Sequence, residues 1–458
     1  MSSTQPSDVG KGVKNLTQGT VYKQLLNLSM PIMATSFIQM AYGLTDMAWL
    51  GRLGSEYVAA AGSVGILTWI SDSCSRLTKT GSEVSISQSI GAQNKEDARS
   101  FASHNVTISL LIALCWGSVL FVFAHPIIGF FRLGTSISAN AVSYLRVLVT
   151  ALPFCFLSVT FTGIYNAVGR SNVPFFISAT GLLLNIILDP LFIFGFKWGV
   201  NGAAYATWVA QATVFILFCY QLRHHDSLFD CFPFFVRLKK RYTRRILKLG
   251  IPVAGFNMLF ASVSMILGRT ASAQGGYIGV VALTTGSQFE AINWNVSQSF
   301  STALGAFVGQ NYAAGQIRRV MQAWKTTLRI TLVYGSLCTF LFIFKGESLF
   351  AFFVPEREAY LAGSAYLRIM GYSQLFMMME ITTQGLFYGV GRTLPPAIVS
   401  IVFNYMRIPL ALLFVHWAPG MESIWWAICA TSIMKGIVLG SWFKIYFPKL
   451  LIRKAVRS

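Results

Sequence analysis

Twelve apolar runs of about 20 residues or more follow one another along the chain, and they restrict its fold more than any other feature. Such a run crosses a bilayer as one helix, because a helix satisfies its own backbone hydrogen bonds in lipid. The composition agrees, since 54% of the residues are hydrophobic and only 11% are charged, whereas soluble domains average about 25% charged. The predicted fold is an all-α polytopic membrane protein with twelve transmembrane helices. The predicted spans lie near residues 28–50, 57–88, 101–125, 139–168, 173–195, 201–223, 245–269, 277–306, 319–344, 359–389, 394–416 and 422–447.

The Lys and Arg residues indicate which side of the membrane each connection occupies. With the N-terminus inside, about two dozen of the 36 Lys and Arg fall in cytoplasmic segments and about six in external ones, as the positive-inside rule requires. The net charge of +20 therefore indicates contact with anionic lipid headgroups and not with nucleic acid. We expect a multi-pass protein of the cell membrane with both termini in the cytoplasm.

The two halves of the chain repeat the same landmarks in the same order. Matching positions are separated by 217 to 222 residues, which chance would rarely produce. The pairs are Pro31 and Pro252, IGAQN (90–94) and VGQN (308–311), YLR (144–146) and YLR (366–368), GIYNAVGR (163–170) and GLFYGVGR (385–392), Asn185 and Asn404, and Pro190 and Pro409. The chain is therefore predicted to be a duplicated six-helix unit.

An even number of spans in each copy makes both copies enter the membrane in the same direction. The two lobes should then be related by a pseudo-two-fold axis along the membrane normal, which is a recurring build of secondary transporters that work by alternating access. The predicted segments are a cytoplasmic N-terminal segment 1–27, an N-lobe 28–223, a basic connection 224–244, a C-lobe 245–447 and a basic tail 448–458.

The stretch GLLLNIILDPLFIFG (181–195) places a carboxylate inside the fifth span. Asn185 and Asp189 are four residues apart, so they share a face of the helix, and Pro190 frees a backbone carbonyl and predicts a hinge at that point. An acid at this depth in the membrane is unfavourable unless it is paired, protonated or hydrated. Its presence therefore predicts a functional role. The alternative is a buried acid that bonds Asn185 for structure alone.

The acids of this region are confined to the first half of the chain. In the register of the repeat, Asp189 meets Ile408, and Asp46 of the first span meets Leu267. Thr207, early in the sixth span, adds a hydroxyl. A site of oxygen and amide groups without His or Cys suits a proton or a hard cation such as Na⁺. Two carboxyl groups that lie close together do not readily both carry a negative charge. We expect H⁺ or Na⁺ as the coupling ion and no cofactor.

The chain resembles the MATE (multidrug and toxic compound extrusion) transporters. The motifs that carry the resemblance are the first span from Pro31 to Asp46 followed by LGRLG, IGAQNKEDAR after the second span, and NIILDP in the fifth. Within that family the chain is similar to the DinF-like branch, whose cation site implies the roles of Asp46, Asn185, Asp189 and Thr207 here. The resemblance implies an antiporter that exports organic compounds in exchange for H⁺ or Na⁺.

A second cation site, which the NorM-like branch carries in the C-lobe, is not expected here. The position that would hold its acid in the seventh span is Phe260 in this chain. The nearest acid of the tenth span, Glu380, lies about one turn from the matching position, Met377.

Charged and polar residues in several spans predict the wall of a substrate chamber. Asp72, Arg76, Lys79 and Glu83 follow one face of the second span, although the same spacing also predicts a self-neutralised ladder that holds the lobe together. A chamber with both signs of charge favours a zwitterionic or polar substrate. The predicted lining is Tyr42, Asp72, Arg76, Lys79, Glu83, Gln288, Glu290, Asn293, Glu380 and Arg407.

Other functions remain as alternatives. A flippase of lipid-linked precursors would share the architecture. An enzyme or an ATP-driven pump is disfavoured, because the chain has no clustered His, no phosphate-binding glycine loop and only singly placed cysteines, seven in all. We expect a monomer that transports small organic molecules in the bilayer.

Overall fold

The computed structural model describes residues 13–130, 134–224 and 233–455, and the side chains of Ser55, Ser136 and residues 446–455 are not described. Residues 1–12, 131–133, 225–232 and 456–458 lie outside these ranges. They include Cys231 and parts of the predicted N-terminal segment, basic connection and C-terminal tail. The regular structure of the described ranges is entirely helical.

Thirteen α-helices and one short π-helix form the described chain. The first half comprises α1 (Val21–Leu53), α2 (Ser55–Gly91), α3 (Lys95–Val122), α4 (Ala124–Gly129), α5 (Thr135–Ala167), α6 (Asn172–Pro190), a π-helix (Leu191–Gly195) and α7 (Gly199–His224). The second half comprises α8 (Lys240–Ala313), α9 (Ile317–Phe353), α10 (Arg357–Gly371), α11 (Gln374–Gly389), α12 (Leu394–Trp417) and α13 (Met421–Ala455).

These helices account for the twelve predicted spans. The seventh and eighth spans both lie in α8, where Gly276 interrupts the helix with φ 55° and ψ −142°, a conformation that glycine adopts readily. The tenth span is divided at Tyr372 and Ser373 into α10 and α11. Length and hydropathy alone qualify eight of the described helical segments as membrane spans, with α8 counted once. The fold is a twelve-span membrane protein with two six-helix lobes.

The helices cluster into two compact units. The first, called the N-terminal unit, comprises the described residues within 13–19, Leu26–Ala254 and Gly309–Gly315. The second, called the C-terminal unit, comprises Thr20–Leu25, Gly255–Val308 and the described residues from Gln316 to 455. Each has its own buried core, around Phe161 and Phe218 in the first unit and around Phe350 and Trp425 in the second.

The two units repeat a close helix contact at the glycine that opens the GIYNAVGR and GLFYGVGR motifs. A Cβ atom at Gly163 of α5 would lie 2.8 Å from the Lys79 carbonyl oxygen of α2, and one at Gly385 of α11 would overlap the backbone of Ser301 in α8. Glycine is therefore required at both positions for the helices to approach this closely.

A buried pair of hydroxyls is repeated as well. Thr160 donates to Ser109 at 2.9 Å in the N-terminal unit, and Thr331 and Thr382 share a hydrogen bond of 2.9 Å in the C-terminal unit. The repeated landmarks of the sequence are thus architectural contacts, since polar groups inside a membrane bundle join helices when they bond one another.

The described start of the chain is held inside the N-terminal unit by the VGQN motif. The Leu16 N–H donates to Gln310 Oε1 at 3.0 Å, and Gln310 Nε2 donates to the Ala167 carbonyl at 2.9 Å. Asn311 Nδ2 donates to the Leu16 carbonyl at 3.1 Å. Two buried amide side chains therefore satisfy the backbone of a segment that has no regular structure of its own.

Candidate functional site

Four side chains from three helices meet in the N-terminal unit, and we call them the candidate cation site. Asp46 lies on α1, Asn185 and Asp189 lie one turn apart on α6, and Thr207 lies on α7. Asn185 and Asp189 have no exposed surface. The four residues that the sequence singles out as a cation site are brought together by the packing of these helices.

Hydrogen bonds connect the four side chains into a chain. Asn185 Nδ2 donates to Asp189 Oδ1 at 3.2 Å and lies 3.5 Å from Thr207 Oγ1. Thr207 Oγ1 donates to Asp46 Oδ2 at 3.3 Å. Each carboxylate is thus bound through one oxygen by a neutral donor, which leaves its negative charge without compensation by a cationic side chain of the cluster.

Three oxygens of the cluster are buried acceptors without a hydrogen-bond donor among the described residues. They are Asp46 Oδ1, Asn185 Oδ1 and Asp189 Oδ2. A buried polar atom that lacks a partner costs about 1–3 kcal/mol, and more when it is charged. Na⁺ prefers oxygen ligands of this kind, and a proton on one carboxyl would turn an acceptor into a donor to the other. The donor set therefore fits either of the two ions.

Local structure around Pro190 sets the position of Asp189. The α-helix α6 ends at Pro190, and the chain continues as the π-helix Leu191–Gly195. Helix α7 packs against this turn at Gly202, where a Cβ atom would lie 2.7 Å from the carbonyl carbon of Phe192. The proline thus coincides with a change of helical winding, as expected where a helix loses one of its backbone donors.

The charged face of α2 forms both of the ion pairs that its spacing predicts. Arg76 Nε lies 2.8 Å from Asp72 Oδ2, and Lys79 Nζ lies 4.0 Å from Glu83 Oε1. Asn166 of α5 also donates to Glu83 at 3.0 Å. The Glu83 end of this face therefore joins two helices, as a structural ladder does, while the Asp72 side chain is 49% exposed.

Tyr42 lies apart from that ladder. It is on α1 one turn before Asp46, and its side chain packs on Gly181 of α6. Its hydroxyl is buried and has no hydrogen-bond partner among the described residues. A substrate-lining role for Tyr42 stays a prediction.

The predicted chamber residues of the second half lie in the C-terminal unit. Glu290 of α8 accepts hydrogen bonds from Tyr366 at 2.6 Å and from Gln374 at 3.4 Å. Asn293 donates to Gln374 at 3.2 Å. Gln288 is exposed. Glu290 and Asn293 therefore share one amide network that links α8 to α11.

The two remaining predicted residues of this unit, Glu380 and Arg407, are both buried. Glu380 forms an ion pair with Lys435 of α13, the Nζ atom lying 3.2 Å from Oε2. Arg407 donates to Thr431 at 3.2 Å and to Ser432 at 3.0 Å. The acid of the tenth span thus already has a cationic partner.

Sequence reasoning overlooked Lys435, Tyr366 and Gln374. Lys435 could have been noticed as an isolated charge within the last apolar run, because such residues in spans almost always have a partner. Tyr366 belongs to the repeated YLR motif, but only the packing of α10 on α8 shows that its hydroxyl meets Glu290.

Comparisons with known proteins agree with this architecture. The sequence model of the MatE family matches residues 31–191 and, a second time, residues 252–413. A probable multidrug resistance protein NorM of Thermotoga maritima is 25% identical over 433 residues, which cover 91% of this chain and 90% of that protein. A probable multidrug resistance protein YoeA of Bacillus subtilis is 24% identical over 456 residues, 96% of each chain.

The fold is also found among solved structures. A crystal structure of MATE in complex with MaD3S superposes with a TM-score of 0.89 at 22% identity, covering 97% of this chain and 99% of that one. Because one family model matches each half of the chain, the duplication read from the sequence is confirmed. The chain therefore belongs to the MatE family of multidrug efflux transporters and has the multi-pass fold of two six-helix lobes.

Proposed function

We propose that this protein is a secondary antiporter that exports small organic compounds in exchange for H⁺ or Na⁺ bound at the candidate cation site. The observation that carries the proposal is the buried cluster in which Asp46, Asn185 and Asp189 each have an acceptor oxygen without a donor among the described residues. Two uncompensated carboxylates in a membrane-spanning unit are unfavourable unless an ion neutralises them. The ion gradient would then supply that neutralisation on one side of the membrane and remove it on the other.

The repeat supports a coupling role over a purely structural one. Asn404 and Pro409 repeat Asn185 and Pro190, whereas the partner of Asp189 in the second half is Ile408. The amide and the proline are thus shared architecture, and the acid is the addition. The same asymmetry supports our proposal that the protein belongs to the DinF-like branch.

The mechanism follows from the charge of the pair. Binding of one H⁺ or Na⁺ offsets one of the two negative charges of Asp46 and Asp189, which relieves the repulsion between them and allows the segment after Pro190 to repack. A ligand shifts a conformational equilibrium only by its difference in affinity for the two states. The ion therefore favours the state of the N-terminal unit in which the acids are closest, and this state has the lower affinity for substrate.

The proposal includes an orientation in the cell membrane with both termini in the cytoplasm, which rests on the distribution of Lys and Arg. The flippase alternative is not favoured, since the relatives named above are described as multidrug resistance proteins. That description applies to those proteins and supports, for this chain, organic compounds as the exported class.

The test is transport by the purified chain in proteoliposomes under H⁺ and Na⁺ gradients that are imposed separately. Export of two fluorescent organic dyes, one cationic and one zwitterionic, is measured, and export of at least one of them should follow one of the two gradients. Asp46→Asn and Asp189→Asn should each lower the gradient-driven rate at least about tenfold, because a neutral amide cannot exchange the ion. Glu56→Gln, which changes an exposed acid of the same unit, is the matched control.

Folding is monitored by size-exclusion profile and thermal unfolding, so that loss of transport is not confused with loss of structure. Full gradient-driven export by both Asn variants would refute the proposal. Export that follows neither gradient in the wild-type protein would refute it as well.

A further inference from the structure

A groove of about 530 Å³ opens on the surface of the N-terminal unit, within the size range of ligand sites, about 300–1,000 Å³. The first predicted span begins one residue after Asn27, the fourth ends one residue before Gly169, and the fifth begins one residue after Asn172. The groove therefore lies at the boundary of the bilayer, on the side that the distribution of Lys and Arg assigns to the cytoplasm. The described residues that line it are Val13, Lys14, Asn27, Gly169, Arg170 and Asn172.

The described lining supplies cationic and amide groups and no carboxylate. Lys14 and Arg170 carry positive charges, and the amide groups of Asn27 and Asn172 can each donate two hydrogen bonds. Asn172 is also the first residue of α6, where the helix dipole has its positive end. A groove with this lining favours an anion that accepts several hydrogen bonds, such as a phosphate group, because the arginine fork matches phosphate oxygens.

Contacts around the groove hold its cationic residues in place. The Lys14 N–H donates to the Val168 carbonyl at 2.9 Å. Gly169 has φ 81°, and a Cβ atom there would lie 3.0 Å from the Lys14 Cβ, so glycine gives Lys14 its room. Ser171 Oγ donates to the Leu28 carbonyl of α1 at 2.9 Å. The groove is thus formed before a ligand arrives, which lowers the entropic cost of binding.

Exposed apolar side chains continue from the groove toward the interior of the membrane. Met30 follows Asn27 by three residues on α1 and is 52% exposed, and Phe176 follows Asn172 by four residues on α6 and is 64% exposed. These spacings place each apolar side chain on the helix face of its groove residue. A free phosphate ion would leave this surface uncovered, whereas a phospholipid would cover it with its acyl chains.

We propose that the groove binds the phosphate headgroup of an anionic phospholipid of the inner leaflet, with the acyl chains along Met30 and Phe176. Basic pockets between helices on the cytoplasmic side suit such headgroups, because the anionic lipids of that leaflet attract each nearby Lys or Arg. The inference rests on the proposed function only for the orientation, which decides the leaflet. It does not involve the candidate cation site or the exported compound.

The experiment compares two phospholipids with the same acyl chains. Phosphatidylglycerol carries a net negative charge, and phosphatidylcholine is zwitterionic. Each is added to the purified full-length chain after its endogenous lipid has been removed, and binding of the first lipid molecule is measured by native mass spectrometry. The wild-type protein should bind phosphatidylglycerol at least about tenfold more tightly, since each of two nearby cations contributes about fivefold.

Variants assign this preference to the groove. Lys14→Gln and Arg170→Gln should each weaken phosphatidylglycerol binding about fivefold, and the double variant about 20-fold, with phosphatidylcholine little changed. Lys95→Gln and Arg237→Gln are the matched controls, because they change exposed cations of the same unit outside the groove. They should keep the wild-type preference.

Two further measurements separate a lipid from a soluble phosphate. Glycerol 3-phosphate has the charged group without acyl chains, and at equal concentration it should not displace phosphatidylglycerol. Phosphatidylglycerol with a diazirine in its acyl chain should label peptides that contain Met30 or Phe176 in the wild-type protein, and label them less in the double variant. The peptide with Leu337, an exposed apolar residue of the C-terminal unit, should keep its labelling.

Lys14→Glu serves if Arg170→Gln does not fold, because Lys14 is exposed and its backbone bond to Val168 remains. It should weaken phosphatidylglycerol binding more than Lys14→Gln does. Equal affinity of the wild-type protein for the two lipids, an unchanged preference in the groove variants, or displacement by an equal concentration of glycerol 3-phosphate would overturn the inference. Because binding is measured without a gradient, failure of antiport would leave this result intact.

Discussion

The ion pair between Lys435 and Glu380 provides a quantitative test of the charge assignment in the C-terminal unit. The side chains are 11% and 4% exposed and meet at 3.2 Å. Lys435→Met approximately preserves the volume of the side chain and leaves the Glu380 carboxylate buried with only Gln384 and Ser400 as partners. Removal of one member of a buried pair costs about 3–5 kcal/mol. We expect the lower end of that range, because the two neutral donors remain.

The double variant Glu380→Gln with Lys435→Met compares the removal of both charges with the removal of one. The amide oxygen introduced at position 380 can still accept from Gln384 and Ser400, whereas the amide nitrogen is left without an acceptor, which costs about 1 kcal/mol. The double variant should therefore be more stable than Lys435→Met by about 2 kcal/mol. Removing both charges is milder than removing one, since no isolated charge remains.

The free energy of unfolding is measured by titration of the purified protein with a denaturing detergent in mixed micelles. Additive losses in the double variant would refute the reasoning.

Three further predictions follow from the described contacts. Gly385→Ala should lower the free energy of unfolding by about 2 kcal/mol, because the added methyl group overlaps the Ser301 backbone. The control Gly255→Ala, whose methyl group would meet no atom within 4 Å, should be neutral or stabilising by up to about 1 kcal/mol. Equal losses in the two variants would contradict this prediction. Gln310→Ala should speed amide hydrogen exchange at Leu16, because the Leu16 N–H donates to Gln310 Oε1 and loss of this bond removes about 1–3 kcal/mol of local stability. Unchanged exchange at Leu16 would argue against the contact. If Na⁺ and H⁺ use the same oxygens of the candidate cation site, the dissociation constant for Na⁺ measured by calorimetry should rise as the pH falls, and a pH-independent constant would exclude a shared site.

The two units handle buried charge in different ways. In the N-terminal unit, Asp46 and Asp189 have the same sign, and their hydrogen-bond donors in the cluster are neutral. In the C-terminal unit, two acids and two bases cancel, and one pair is in direct contact. A pair of equal sign can bind a small cation, whereas a cluster in which acids and bases cancel does not require one.

The sequence by itself determined the number of spans and the duplication, and it predicted the residues of the candidate cation site. Each depends on local patterns, since helix length and the four-residue spacing of Asn185 and Asp189 require no knowledge of other helices. The duplication could also be read locally, because landmarks such as Gly163 and Gly385 sit at helix contacts that both units need.

Tertiary structure alone decided which distant residues meet. Asp46 and Thr207 are 161 residues apart and bond only because α1 packs beside α7. The partner of Glu380 proved to be Lys435, a single charge in a span that no local pattern connects to it. The charged face of α2 likewise connects to a second helix only because Asn166 of α5 donates a hydrogen bond to Glu83. Hydrophobic periodicity specifies that a helix has a buried face, but the rotation and depth of its neighbours determine which polar group each buried charge finds.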